Sequence, residues 1–198
     1  MKKNVLFILF LFAIANMAYS QIDFGVKMGL NSSYMHYVKA NNSNHLLGFS
    51  GGLMSKYQIN NTWGITGELL YSQRGYTENN MYINDKAGDL TVKFYALDVP
   101  ILARIKFYKG ANIQLGALSG VSLGNSAKFG NQNANDQIGK PNTFHFGLAG
   151  GVGYEFNNGL LFDFRYIQNL THSYKSVSEG FQLRTFELSV GYKINWNK

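Results

Sequence analysis

The sequence predicts an all-β fold: antiparallel strands joined up-and-down and closed into a barrel that crosses a membrane. Three observations predict it. The 198 residues include 13 Tyr, 15 Phe and 22 Gly against 2 Pro, a profile that favours strands and turns. Apolar and polar residues alternate along segments long enough to cross a bilayer, which takes about 9–11 tilted residues. The connections between these segments alternate short and long, as they do when the turns at the two ends of a barrel face different compartments. Charged residues are only 15% of the chain, against about 25% in an ordinary soluble domain.

Residues 1–20, MKKNVLFILFLFAIANMAYS, form a separate element. Two lysines precede an apolar run from Val5 to Ile14, which ends on the small residues Ala18 and Ser20. This is the three-part layout of a secretory signal peptide, and the run is short for a membrane span. Cleavage after Ser20 would leave residues 21–198 as one barrel domain beginning at Gln21. The cleaved chain would hold 16 basic and 11 acidic residues, a net charge of +5. No Lys/Arg run accompanies that charge, so nucleic acid is not an expected partner. Without cysteine, the chain has no disulfide framework and no thiolate metal site.

Eight strands are expected, over residues 22–33, 46–59, 63–76, 91–108, 112–123, 143–156, 160–172 and 182–196. In the first, Ile22, Phe24, Val26, Met28 and Leu30 share one face. In the second, Leu47, Phe49, Leu53, Tyr57 and Ile59 do so, and Asn60-Asn61-Thr62 turns the chain into the third. The fourth carries Tyr95, Leu97, Val99, Ile101, Ala103, Ile105 and Phe107, with Lys109-Gly110-Ala111 leading to the fifth. Pro100 lies inside the fourth strand, where it removes a ladder donor, so either a bulge there or a later strand start is expected. The sixth and seventh strands carry Phe146, Leu148, Val152, Tyr154 and Phe156, then Leu160, Phe162, Phe164 and Tyr166. Asn157-Asn158-Gly159 joins them and suits a three-residue hairpin with its Gly left-handed. The eighth carries Phe186, Leu188, Val190, Tyr192, Ile194 and Trp196. The remaining connections are long and rich in Asn, Gly, Ser and Lys.

The opposite face holds Asp23, Lys27, Lys56, Glu68, Arg74, Asp98, Arg104, Lys106, Glu155, Asp163, Arg165, Glu187 and Lys193, seven bases and six acids. The oily face carries a single charge, Arg184, at a strand end. A soluble barrel would put the oily face inside. Here the other face would then be a solvent surface built largely of glycine, so the oily face is expected in lipid and the charges in the lumen. Hydrocarbon offers no partner to an unpaired strand edge, so the sheet must close. Aromatic girdles are expected near the short turns (Tyr57, Trp63, Phe107, Phe156, Tyr192, Trp196) and near the long loops (Tyr34, Tyr71, Tyr76, Tyr166, Tyr174). The thirteen charges are expected to form an interior network, with Asp163 opposite Lys193 on the last two strands, or Lys193 meeting Asp23 across the closure after a two-residue slip.

The segments LDVPILARIKF (97–107), GGVGYEF (150–156) and RTFELSVGYKINW (184–196) resemble the PorT-like outer-membrane β-barrel domain of Bacteroidetes-type bacteria, also labelled "porin family". The resemblance implies an eight-stranded barrel of OmpA/OmpX-like size in the cell outer membrane. It implies no common catalytic residue, and most members have no individual function assigned.

No nucleophile elbow, zinc-protease motif or phosphate loop occurs in the sequence. No catalytic residue, cofactor or metal is therefore expected, and the chain is not expected to be an enzyme. His36, His45, His145 and His172 all fall at the long-loop end. They either converge on a metal or are polar loop residues that never meet. The leading functional expectation is a structural or interaction barrel, a monomer with a side-chain-filled lumen and long outer loops. Its expected partners are outer-membrane lipid, the barrel-assembly machinery during insertion, and an extracellular ligand or protein. The alternatives are a narrow channel or transport- or secretion-associated barrel, and an outer-membrane barrel enzyme.

Overall fold

The computed structural model describes residues 22–36, 43–83, 86–130, 132–135, 142–171 and 182–194. The signal-like segment, His172, Tyr174 and Trp196 lie outside them. The strands are β1 (Ile22–His36), β2 (Asn44–Gln58), β3 (Trp63–Ile83), β4 (Lys86–Tyr108), β5 (Ala111–Phe129), the two-residue β6 (Gln132–Asn133), β7 (Phe144–Glu155), β8 (Leu160–Asn169) and β9 (Gln182–Ile194). Each long strand pairs antiparallel with its neighbours in sequence, β5 pairs with β7, and β9 pairs back onto β1. Eight strands therefore close into a ring, and β6 is a short annex on β5.

The short turns form as their residues dictate. Gly159 has φ 90°, a left-handed conformation that glycine adopts without a Cβ penalty. The Asn60 Oδ1 accepts the amides of Thr62 and Trp63 at 2.9 and 2.8 Å, closing the β2–β3 turn through its side chain.

Outward alternation is regular. Phe24, Leu53, Ile101, Leu115, Leu148, Phe162 and Leu188 are all exposed, and the residues between them point into the lumen. Tyr57, Trp63, Phe107, Phe156 and Tyr192 line the short-turn end on the outside.

Three expectations are corrected. Pro100 marks neither a bulge nor a strand start. β4 runs through it, with Gly67↔Ile101 and Leu70↔Asp98 holding one register on either side. Pro100 pairs with Leu118 on the β5 side and is buried. The nearest register shift is at Tyr95/Ala96.

Tyr76 does not join a girdle. It is inward, two residues beyond Arg74 on the same face, and stacks on Phe94 with centroids 6.3 Å apart.

The third connection is not an irregular loop. β3 and β4 continue as a paired ribbon to Ile83↔Lys86, bulged between Glu78 and Met81, and β5 follows to Phe129. The physical reason is an inversion of the pattern along β4. Between Tyr95 and Phe107 the oily residues face out. Between Leu90 and Phe94 they face in, with Asp89, Thr91 and Lys93 outside. Leu90, Val92 and Phe94 are buried with Met35, Tyr76, Ala127 and Ala134. Lipid rewards the first arrangement and water the second, so the inversion marks where the strands leave the bilayer.

Candidate functional site

Among the described residues the lumen is the densest concentration of polar chemistry, and it is built in three tiers. At the short-turn end, Lys193 Nζ lies 2.6 Å from Glu155 Oε1 and 3.1 Å from Asp23 Oδ2. Lys56 Nζ donates to Glu155 Oε2 at 2.5 Å, and Lys106 Nζ is 3.7 Å from the same oxygen. A cleft of about 570 Å³ bounded by Lys106, Tyr154, Asn157 and Lys193 reaches this tier.

The middle tier is buried, its charged side chains 0–5% exposed. Arg165 clamps Glu68 with two parallel bonds of 2.7 Å. Lys27 Nζ lies 3.2 Å from Glu68, 3.0 Å from Asp163 and 3.9 Å from Glu187. Arg104 reaches Asp163 at 2.6 Å, and Arg165 reaches it at 3.2 Å. Gln114 donates to Asp163 at 2.5 Å and accepts from the Arg165 Nε at 2.8 Å. Ser50 donates to Glu187 at 2.9 Å. Three bases face three acids, so the tier is neutral. The Lys27 side chain is 1% exposed, against 27% for that of Lys106 in the tier below. A charge held out of water persists only when paired and hydrogen-bonded; every charge here has an opposite charge within 4.0 Å, while Arg104 Nε and Glu187 Oε1 make no hydrogen bond.

The third tier lies toward the long loops. Asp98 accepts from Arg74 and pairs with His145 Nε2 at 2.6 Å. Leu102, Leu118, Ala149 and Ile167 form an apolar cluster that crosses the lumen on this side. Leu70, Pro100, Leu118 and Ile167, with Arg165 below and Arg74 above, line a void of about 10 Å³ between the tiers.

The glycine face of β7 is explained by this site. Every other long strand gives the middle tier a polar side chain; β7 gives space. A Cβ on Gly153 would lie 2.3 Å from Asp163 Oδ1 and 2.6 Å from Gln114 Nε2, and one on Gly151 would crowd the Arg165 side chain at 3.0 Å. Gly120 clears His145 and Asp98 in the same way, at 2.4 and 2.5 Å.

The structure brings all thirteen sequence-selected charges into these contacts. It does not make the direct pair expected between Asp163 and Lys193. Asp163 sits opposite Ser189, and Lys193 lies four residues further along β9. The stagger between strands that closes a barrel is not encoded in a period of two, so alternation places a residue on a face without choosing its partner. Lys193 meets Asp23 instead, the neighbour across the β1–β9 closure. Ser50, Gln114 and His145 are network members that charge alone did not single out; the alternation that marked Lys56 and Arg104 already put Ser50 and Gln114 inside. Among the described residues, His145 and His45 do not gather: His145 is in the lumen on Asp98, whereas His45 is outside, its ring 4.6 Å from that of Tyr34; His172 lies outside the described residues. Among the described residues no group of His, Cys, Asp and Glu could hold a metal ion.

Known structures share this architecture. The attachment invasion locus protein Ail of Yersinia pestis superposes with a TM-score of 0.54 at 16% identity, covering 88% of this chain and 99% of that one. Neisserial surface protein A superposes with a TM-score of 0.58 at 16% identity, covering 86% and 97%. At that identity the likeness is one of fold. A search of curated proteins found no match. Residues 15–175 match the family described as "Outer membrane protein beta-barrel domain", and with the closed ring and its lipid-facing exterior this settles the assignment: the chain is a small outer-membrane β-barrel and belongs to that family.

Proposed function

We propose that the protein is a structural or interaction barrel with a closed lumen, and not an enzyme or an open channel. The observation that carries this reading is the neutral middle tier, which occupies the section of the barrel with buried, paired charges. An eight-stranded barrel leaves an interior just wide enough for side chains, so little cross-section remains for ions. Contact with other molecules then falls to the surface and the long connections at the far end. The partners we assign by class are outer-membrane lipid, the barrel-assembly machinery during insertion, and a ligand or protein outside the cell, with no nucleic acid. The chain works as a monomer, exported by residues 1–20 and processed to begin at Gln21. Within its family we place it in the PorT-like group of Bacteroidetes-type bacteria.

Proteoliposomes loaded with a halide-sensitive dye test the closed lumen. Dye response at the rate of protein-free vesicles supports it; rapid quenching on addition of halide would favour the narrow-channel or transport reading.

A further inference from the structure

Arg184 is a charge on the outer face beside the oily residues of β9, and the lumen does not account for it. It lies near the start of β9, between Tyr34 of β1 and Gln168 of β8 in the register. Its Nε is buried and has no hydrogen-bond partner. The outward positions flanking it, Ser32, His36, Gln168 and Gln182, bring no carboxylate. A guanidinium at a membrane face with no carboxylate beside it among the described residues is costly, so its charge points to an anion from elsewhere.

The surroundings say which kind. One step toward the bilayer centre, Tyr166 packs on Phe186 with centroids 5.2 Å apart. On the other side the His45 ring lies tilted against Tyr34, centroids 4.6 Å apart, its Nδ1 3.0 Å from Ser32 Oγ. Tyrosines at this height belong to the interfacial belt, where rings sit among headgroups. Below them Leu30 and Leu188 are 68% and 58% exposed, a smooth apolar wall continuous with the site. The anion therefore comes attached to hydrocarbon. Arginine's planar fork matches a phosphate with two parallel bonds, and tyrosine hydroxyls can donate to the remaining oxygens.

We propose that Arg184, framed by Tyr34, Tyr166 and His45, is a binding site for the phosphate of an outer-leaflet lipid, whose acyl chains lie along Phe186, Leu188 and Leu30.

The test uses the folded, purified protein in detergent and counts retained lipid by native mass spectrometry. The probes are diphosphoryl lipid A, the same lipid stripped of its phosphates, and inorganic phosphate as competitor. Wild type should retain the phosphorylated lipid roughly tenfold or more over the stripped one, the discrimination expected of a charge-assisted bidentate contact. Arg184→Gln should lose that preference, Arg184→Lys should keep part of it, and Lys93→Gln, an outward cation on β4, should keep all of it. The heat-dependent gel shift of each variant verifies folding. Equal retention of the two lipids, or an unchanged preference in Arg184→Gln, would overturn the proposal. So would displacement by millimolar inorganic phosphate, which would make this a site for a soluble anion.

Discussion

Arg165 of β8 and Glu68 of β3 meet across the barrel in a two-bond clamp, 2.7 Å at each oxygen. No strand pairing joins β3 to β8, so this contact ties walls that the backbone ladder leaves independent. Each partner is fully enclosed, and removing one takes the two-bond partner from the other and leaves the neutral tier one charge out of balance, with only Lys27 still on Glu68, or only Asp163 and Glu187 still on Arg165. Arg165→Met or Glu68→Gln alone should cost about 3–5 kcal/mol, and the double variant less than the two together. Urea unfolding in lipid vesicles reads the cycle, and simple additivity would mean the clamp contributes no coupling.

Lys193 offers a test of register. Its contacts are Asp23 and Glu155, with Asp163 engaged elsewhere. In the same unfolding assay Lys193→Met should couple to Asp23→Asn and combine additively with Asp163→Asn, since residues sharing no contact add. The opposite outcome would shift β9 by four residues against β8.

Much of this was legible in the sequence, and its limits have definite causes. The face of each spanning residue follows from alternation, because lipid and lumen demand opposite chemistry. Leu148 and Asp163 are assigned by that rule alone. Partner choice is another matter, as Lys193 shows: the shear of a closed barrel depends on all eight strands at once. Tyr76 was misplaced by its residue type, although counting two from Arg74 puts it inside. The ribbon beyond the bilayer was hidden by its polar composition, yet the exchange of faces at Tyr95 is visible in the sequence once two solvents are considered.

Glycines on the two faces of β7 should respond oppositely to one added methyl. Gly153→Ala forces a Cβ into the Asp163 carboxylate, whereas at Gly150 the nearest atom to a new Cβ is 3.5 Å away. Gly153→Ala should lose about 1–3 kcal/mol by overpacking, and Gly150→Ala should stay within about 0.5 kcal/mol of wild type or gain. Equal effects would mean that β7 is turned over.

The lipid face carries a depth-dependent penalty. Leu148, half-exposed and mid-strand on β7, should cost about 2–4 kcal/mol as Arg, whereas Arg at Phe156, on the short-turn girdle, should cost about 0–1 kcal/mol. Refolding into vesicles measures both. A Leu148→Arg protein as stable as wild type would reverse the face assignment.

The closed lumen is the centre of this account, and single-channel recording in planar bilayers tests it most directly. Wild type should insert and stay electrically silent, and Glu68→Ala/Arg165→Ala, with the central clamp removed, should show openings that wild type lacks. Steady, large conductance from wild type, unchanged in the double variant, would contradict it.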